Sequence, residues 1–163
     1  MASGPPIRVE VFADVACPFT HVGLRRFVER RAALDRHEVV LWVRSWPLEI
    51  VNDAPLDPHF IAEEVDDIRT QVAPDLFTDF REAAFPASSL PALALAAAAY
   101  DRSPEIGERV SLALRDLLFE KGSDIADPQV LERLAASEGL SLGEVDTDRV
   151  RRDHAEGVER GVI

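Results

Sequence analysis

The chain has 163 residues, of which 47% are hydrophobic, and it carries a formal net charge of −12 at pH 7. This length and apolar content suit one globular domain, with or without an insertion. The acidic balance argues against binding to nucleic acid or anionic membranes, and no apolar run approaches the roughly 20 residues of a membrane span.

The N-terminus and the cysteine content both predict a cytoplasmic location. Residues 1–6 contain neither the basic segment nor the apolar core of a secretory signal. Cys17 is the only cysteine, so the chain has no internal disulfide of the kind that stabilises many secreted domains.

The first elements predict a βαβ unit. Residues 7–13 alternate in polarity and are rich in β-branched side chains, which indicates a strand. Pro18 suits the first turn of a helix, and apolar residues then follow at helical spacing. Residues 37–46 form a second predicted strand, whose nearly unbroken apolar run indicates that both faces are covered, as in parallel pairs. The helix would then cross over between two parallel strands, and this connection is right-handed in nearly all proteins.

The chain beyond a loop that starts at Pro47 is predicted to be helical. The predicted helices cover residues 57–72, 75–83, 89–101, 104–120, 127–137 and 145–160. Cap-plus-proline starts occur at Asp57-Pro58, Ser103-Pro104 and Asp127-Pro128. Ser141 and Glu144 have the spacing of a capping box, and Gly122 and Gly139 are placed as helix stops.

Cys17 stands between the first predicted strand and the helix that begins at Pro18. The thiolate is the reactive form of cysteine, and free N–H groups at a helix N-terminus stabilise negative charge. Thr20 lies one turn further on, where its hydroxyl can donate to the sulfur, but it cannot attack a mixed disulfide as a second cysteine would. Cys17 and Thr20 are therefore the candidate catalytic residues. The alternative is that Cys17 is a buried small hydrophobe.

The residues assigned to substrate binding flank the thiol and are Pro18, Phe19 and His21. As a nearby cation His21 would favour the thiolate, and the alternative is a solvated helix residue without a catalytic role. The other histidines have no metal-ligand spacing to one another or to Cys17, so the sequence predicts no metal site.

Several segments carry a family resemblance through their order and spacing. They are DVACP at 14–18, RSWPLE at 44–49, FPASS at 85–89, LLF at 117–119 and DHAEGVERGVI at 153–163. Together they resemble the DsbA-like branch of the thioredoxin superfamily, especially the cytosolic bacterial members related to FrnE and to 2-hydroxychromene-2-carboxylate isomerases. The resemblance implies an α/β fold. A thioredoxin-like βαβ unit (residues 1–50) would carry a large inserted helical domain (residues 51–142), and residues 143–163 would return to the core as a helix.

The chain departs from this family at two places. Thr20 replaces the family's second cysteine, which moves the chain toward the monothiol side of the superfamily, where related enzymes use a bound thiol cofactor. The family also continues past Ile163 into a cis-proline loop, a β-hairpin and a final helix. The C-terminal hairpin and helix are therefore expected to be missing, through natural truncation or because the sequence is a fragment. The edge of strand 7–13 would then pair with another chain, as in a homodimer, or be covered by the helical block.

The leading functional hypothesis is a thiol-disulfide oxidoreductase that acts as a monothiol through Cys17 on a thiol or disulfide substrate. The first alternative is a thiol-cofactor-dependent isomerase or a kappa-type glutathione transferase-like enzyme. Its cofactor, glutathione or mycothiol, would be held without a covalent bond at Cys17 and Thr20. The second alternative is a degenerate, non-enzymatic assembly module.

Overall fold

The computed structural model describes residues 5–163 and contains a two-stranded parallel sheet packed among α-helices. The elements are β1 (Ile7–Ala13), α1 (Pro18–Ala33), β2 (Val39–Ser45), α2 (Leu48–Val51), α3 (Pro58–Gln71), α4 (Leu90–Arg102), α5 (Pro104–Phe119), α6 (Pro128–Ser137) and α7 (Asp148–Glu159). Short 3₁₀ turns lie at Glu82–Ala84 and Leu142–Glu144. The predicted α/β fold, a βαβ unit followed by a large helical insertion, is confirmed.

The two strands form the predicted parallel pair, with a register that runs from Ile7 opposite Val39 to Ala13 opposite Ser45. One face of the sheet packs on α1, α4 and α5. The buried residues of that contact are Ala13, Leu24, Leu41, Val43, Tyr100 and Leu112. The opposite face packs on α7, where the backbone of Gly157 lies directly against the rings of Trp46 and Phe12. Helices therefore lie on both faces of the pair.

The outer edge of β1 has no neighbouring strand among the described residues 5–163. Ile7 donates its N–H to the carbonyl of Glu38, and the Ala13 carbonyl accepts from Trp46, so odd-numbered residues of β1 point their backbone at β2. The even-numbered residues between them, Arg8, Glu10 and Phe12, point theirs the other way. Within residues 5–163, β2 is the strand that pairs with β1, so pairing of the outer edge with another chain stays a prediction.

The helical block is built around α4, whose alanine-rich sequence lets its neighbours approach closely. Most of α4 is buried, and α5 comes so near that Gly107 lies against the ring of Tyr100. The main core joins residues of α3 to α7 with Val15 and Ala16, which precede α1. The domain boundaries given above stay a prediction. No helix within the described residues is long and apolar enough to cross a membrane.

The capping signals before proline are confirmed. The side chains of Asp57, Ser103 and Asp127 accept hydrogen bonds from backbone N–H groups at the starts of α3, α5 and α6. Gly122 and Gly139 follow α5 and α6 with φ of 58° and 69°, a conformation that glycine adopts without strain.

Three local predictions were wrong. Residues 75–83 do not form a helix, because Phe77 has a φ of 60° and the N–H groups of Phe77 and Thr78 bind the carboxylate of Glu120. The capping-box spacing at Ser141 leads only to a 3₁₀ turn, and α7 begins at Asp148. The loop after Pro47 contains the short helix α2, which the sequence analysis missed.

Candidate functional site

Cys17 lies at the N-terminus of α1, four residues after the end of β1. It has extended backbone angles (φ −86°, ψ 117°), and Pro18 occupies the first turn of the helix, as predicted. The thiol is half-buried and its side chain makes no capping hydrogen bond. Cys17 thus lies at a helix N-terminus, where backbone N–H groups favour negative charge, and part of the residue is exposed to solvent.

The backbone carbonyl of Asp14 fixes the turn that carries the thiol. It accepts hydrogen bonds from Thr20 Oγ1 at 3.0 Å and from Arg115 Nη2 at 3.1 Å, and it lies 3.5 Å from the Cys17 nitrogen. Thr20 Oγ1 is also 3.0 Å from the Cys17 carbonyl. The single proton of that hydroxyl is thus directed at backbone carbonyls, whereas the sequence analysis expected it to point at the sulfur. The catalytic assignment of Thr20 stays a prediction, and what the structure gives it is a role in fixing the turn.

The carboxylate of Asp14 joins the same turn to two other parts of the chain. Its Oδ1 accepts from the Ala16 N–H at 2.9 Å, and its Oδ2 accepts from the Leu48 N–H at 2.7 Å and from Ser89 Oγ at 3.0 Å. Glu49 extends the network by accepting from the Ser89 N–H at 2.9 Å. Burial raises the pKa of Asp14, while these hydrogen bonds act in the opposite direction. Segments 44–49 and 85–89, both singled out in the sequence, thus meet at the turn before Cys17.

Arg115, on α5, lies fully buried beneath this turn. Its Nη1 donates to the carbonyl of Ser111 at 2.8 Å and to Ser111 Oγ at 2.7 Å, and its Nη2 binds the Asp14 carbonyl. Burial lowers the pKa of Arg115 to about 10, so the guanidinium still carries its charge at neutral pH. The sequence analysis missed this residue. A signal existed, because Arg115 falls on the apolar side of α5, one turn from Ser111 and three residues before Leu118.

His21 lies below the first turn of α1 and has no exposed surface. Its Nε2 lies 2.7 Å from Glu120 Oε1, and its ring packs against Phe77 and Phe119 with centroid separations of 5.3 and 5.1 Å. The alternative that His21 is a solvated helix residue is therefore wrong. The assignment of His21 to substrate binding stays a prediction. Because the ring is fully buried, it could act on a substrate only through the residues around it.

Glu120 is a second residue of this region that the sequence analysis missed. Besides His21, its carboxylate accepts from the N–H groups of Phe77 at 2.8 Å and Thr78 at 3.0 Å and from Thr78 Oγ1 at 3.0 Å. Burial acts to raise its pKa, but these hydrogen bonds outweigh burial and lower the pKa of Glu120 overall. An anionic Glu120 can only accept, so His21 donates from Nε2 and its Nδ1 has no partner within the described chain.

The burial of His21 predicts that the protein loses stability in mild acid. Burial lowers the pKa of His21 below its ordinary value of 6.5, although Glu120 opposes this. His21 therefore becomes protonated near pH 6.5 in the unfolded chain, whereas in the folded protein it stays neutral down to a lower pH. The free energy of unfolding should fall as pH drops below about 6.5, by at most about 1.4 kcal/mol per pH unit, until the folded pKa is reached.

Urea unfolding between pH 5.0 and 7.5 measures this slope. The variant His21→Phe, which keeps an aromatic ring in the cluster, should flatten it, and the exposed His37→Gln should leave it unchanged. Glu120 does not interfere, because its lowered pKa confines its titration to more acidic solutions. An equal slope in wild type and His21→Phe would contradict the prediction.

The structure brings the remaining predicted site residues together at the first turn of α1. Phe19 is 58% exposed beside the half-buried Cys17, whereas Pro18 is buried. The cavity next to Ala16, between α2 and the 85–89 segment, holds only about 10 Å³, too little for a tripeptide thiol. In the described part of the chain, no group of three His, Cys, Asp or Glu side chains is arranged to bind a metal ion.

A protein-family model described as the DSBA-like thioredoxin domain matches residues 8–162. The matched region begins in β1, includes the Cys17 turn and the whole helical block, and ends just beyond α7. No curated protein matches the chain.

Proposed function

Because the chain belongs to the DSBA-like thioredoxin domain family, we propose that it is a thiol-disulfide oxidoreductase that acts as a monothiol through Cys17. The observation that carries the proposal is the position of the sulfur. Cys17 is half-buried at a helix N-terminus, its side chain makes no capping hydrogen bond, and its turn is fixed by the Asp14 carbonyl. This environment suits a reactive thiol better than a structural one.

The chemistry is a balanced exchange in two steps. The Cys17 thiolate attacks one sulfur of a disulfide, a mixed disulfide forms, and the other sulfur leaves as a thiolate. The thiolate of an external small thiol, such as glutathione or mycothiol, then attacks the substrate sulfur of the mixed disulfide and releases Cys17 as a thiolate. Thr20 cannot perform the second step, because a hydroxyl is not a resolving thiol. Phe19, exposed beside the sulfur, is the proposed apolar contact for the substrate.

Mass spectrometry of the intact protein tests the proposal. Incubation with glutathione disulfide should add one glutathione to the wild type and none to Cys17→Ser, and Cys17 is the only site at which the adduct can form. Addition should proceed in the folded protein without denaturant, because Cys17 is partly exposed at a helix N-terminus. Thr20→Ser, which keeps the hydroxyl, is the matched control and should react like the wild type. An adduct that forms only in urea would overturn the proposal.

The thiol-cofactor-dependent isomerase or transferase remains the second candidate, because a threonine replaces the second cysteine. It requires a bound glutathione or mycothiol. The helical block contains an apolar cavity of about 210 Å³, lined in part by Pro91, Leu131 and Leu142. Cys17 does not line this cavity, so a thiol cofactor held at Cys17 would have to bind elsewhere. Calorimetric titration of Cys17→Ser with either thiol separates the two functions, since binding without the sulfur supports the cofactor enzyme.

The third candidate is an assembly module that uses the unpaired outer edge of β1 to bind a second copy. Sedimentation would then show a homodimer that Arg8→Pro dissociates and Arg8→Ala leaves intact, because only proline removes the outward N–H. A cytoplasmic location is also part of our proposal, since a single unpaired thiol suits a reducing compartment.

A further inference from the structure

Arg115 is a buried cation whose hydrogen bonds do not go to a carboxylate. They go to Ser111 and to the backbone carbonyl of Asp14, and its Nε has no partner among residues 5–163. The carboxylate of Asp14 is occupied by other donors, on Ala16, Leu48 and Ser89. A buried charge without a directly bonded counterion is costly, so the anions that surround it matter.

The charges around Arg115 come from three directions. Asp14 and Cys17 lie in the turn above it, Tyr100 approaches from α4, and Arg25 from α1. Burial raises the pKa of Tyr100 to about 12, so this phenol is neutral at physiological pH.

His21 is a further titratable neighbour of Arg115, and burial holds its pKa below the ordinary value. At neutral pH the imidazole is therefore uncharged. With Tyr100 neutral, Asp14 and Cys17 are the members of this group that can carry a negative charge beside the guanidinium.

The coupling between the guanidinium and the thiol runs in both directions. The geometry supports the coupling, because Arg115 Nη2 and the Cys17 nitrogen lie 3.1 and 3.5 Å from the same carbonyl oxygen of Asp14. A buried positive charge at this distance attracts a negative charge on the neighbouring thiol. By thermodynamic reciprocity, a thiolate at Cys17 would favour the charged form of Arg115 to the same extent.

From this geometry we infer that Arg115 is a positioning residue for Cys17, which holds the turn through Asp14 and stabilises the thiolate with its buried charge. The inference rests on the proposed function, in which Cys17 is the nucleophile. It assigns a role in the chemistry to a residue of the helical insertion, about 100 positions away from the thiol in sequence: the bond from Arg115 to Asp14 spans 101 residues.

The test is the pH profile of Cys17 alkylation by iodoacetamide, measured in Arg115→Met, Arg115→Gln and Arg115→Lys. Both neutral variants should move the midpoint of the profile up by about one pH unit, so that the rate at pH 7 falls about tenfold. Arg115→Lys should restore most of the rate, because it keeps the charge. Gln retains N–H donors, so it also serves if the Met variant does not fold.

Arg109→Met is the matched control, since it removes an arginine from the same helix that is exposed and paired with Glu138. Its profile should equal that of the wild type, and circular dichroism should show native helix content in every variant compared. An unchanged midpoint in the folded neutral variants, or a shift in Arg115→Lys as large as theirs, would overturn the inference. Alkylation needs no disulfide substrate, so the inference can fail while glutathione addition succeeds, or hold while glutathione addition fails.

Discussion

Replacing Asp153 with alanine is expected to lower the free energy of unfolding by about 3–5 kcal/mol, because it removes the buried carboxylate that pairs with a buried cation. Arg44, on β2, has a side chain only 10% exposed. Its Nε and Nη2 donate to Asp153 Oδ1 at 3.0 and 2.7 Å, and the N–H of Ser45 donates to Oδ2 at 3.1 Å. The carboxylate of Asp153 therefore links α7 to two residues of β2 and is the most buried of the negative groups that pair with Arg44.

The matched control is Glu156→Ala, one turn further along α7. Glu156 also binds Arg44, with Oε2 2.5 Å from Nη2, but its side chain is 45% exposed, so water can replace the contact. Urea denaturation followed by circular dichroism should show a small loss for Glu156→Ala and the large one for Asp153→Ala. Equal losses would mean that the burial of the Arg44–Asp153 pair does not govern its contribution.

Gly107→Ala is expected to destabilise the protein by about 3 kcal/mol, because it forces a methyl group into an occupied place in the core. A Cβ at this position would lie 2.1 Å from Cδ1 and 2.2 Å from Cγ of Tyr100. The ring cannot move aside at low cost. Tyr100 is 2% exposed, stacks on Trp42 at a centroid distance of 5.0 Å, and donates its hydroxyl to the Leu41 carbonyl at 3.3 Å.

Gly23→Ala is the same substitution at another glycine, and it is expected to stabilise the protein. Gly23 lies inside α1, and an added Cβ would meet no atom within 4 Å. Alanine costs less backbone entropy in a helix than glycine, so this variant should be more stable by about 0.5–1 kcal/mol. Thermal unfolding of the two variants should shift the midpoint in opposite directions. A shift in the same direction would show that the space around the two glycines is not what separates them.

Local signals in the sequence were enough to predict most of the fold. Alternation in residues 7–13 and the apolar run that follows α1 correspond to β1 and β2, and prolines after Asp57, Ser103 and Asp127 mark the starts of three helices. These signals act within one turn or one strand, so they need no knowledge of the tertiary structure. The position of Cys17 at a helix N-terminus was predicted in the same way.

The parts that could not be predicted depend on contacts between distant residues. Residues 75–83 have a helical pattern, but Glu120 binds the N–H groups of Phe77 and Thr78 and holds them in a turn. His21 and Glu120 are 99 positions apart in sequence, so the local pattern on α1 gave no sign of their contact.

Arg115 is a further residue whose contacts could not be predicted from the sequence. The sequence analysis did not single it out, although its place on the apolar side of α5 marks it as unusual. Its partner is a backbone carbonyl, which has no signature in the sequence. A charged side chain at an apolar position of an amphipathic helix can be recognised from sequence, but its target cannot.

The attachment of α7 to the sheet has a consequence for biosynthesis. The N-terminus of a chain leaves the ribosome first, so β1 and β2 emerge from the exit tunnel before α7, which covers one face of the sheet. The ion pair between Arg44 and Asp153 cannot form until Asp153, which is 109 residues further along the chain, has also emerged. During that interval the nascent βαβ unit exposes Phe12 and Trp46 on one side. Arg44 then has the carboxylate of Glu10 on β1, 3.7 Å from its Nη1, but not that of Asp153. In the nascent chain, α7 can therefore cover this face of the sheet only after the 109 residues from Arg44 to Asp153 have been synthesised.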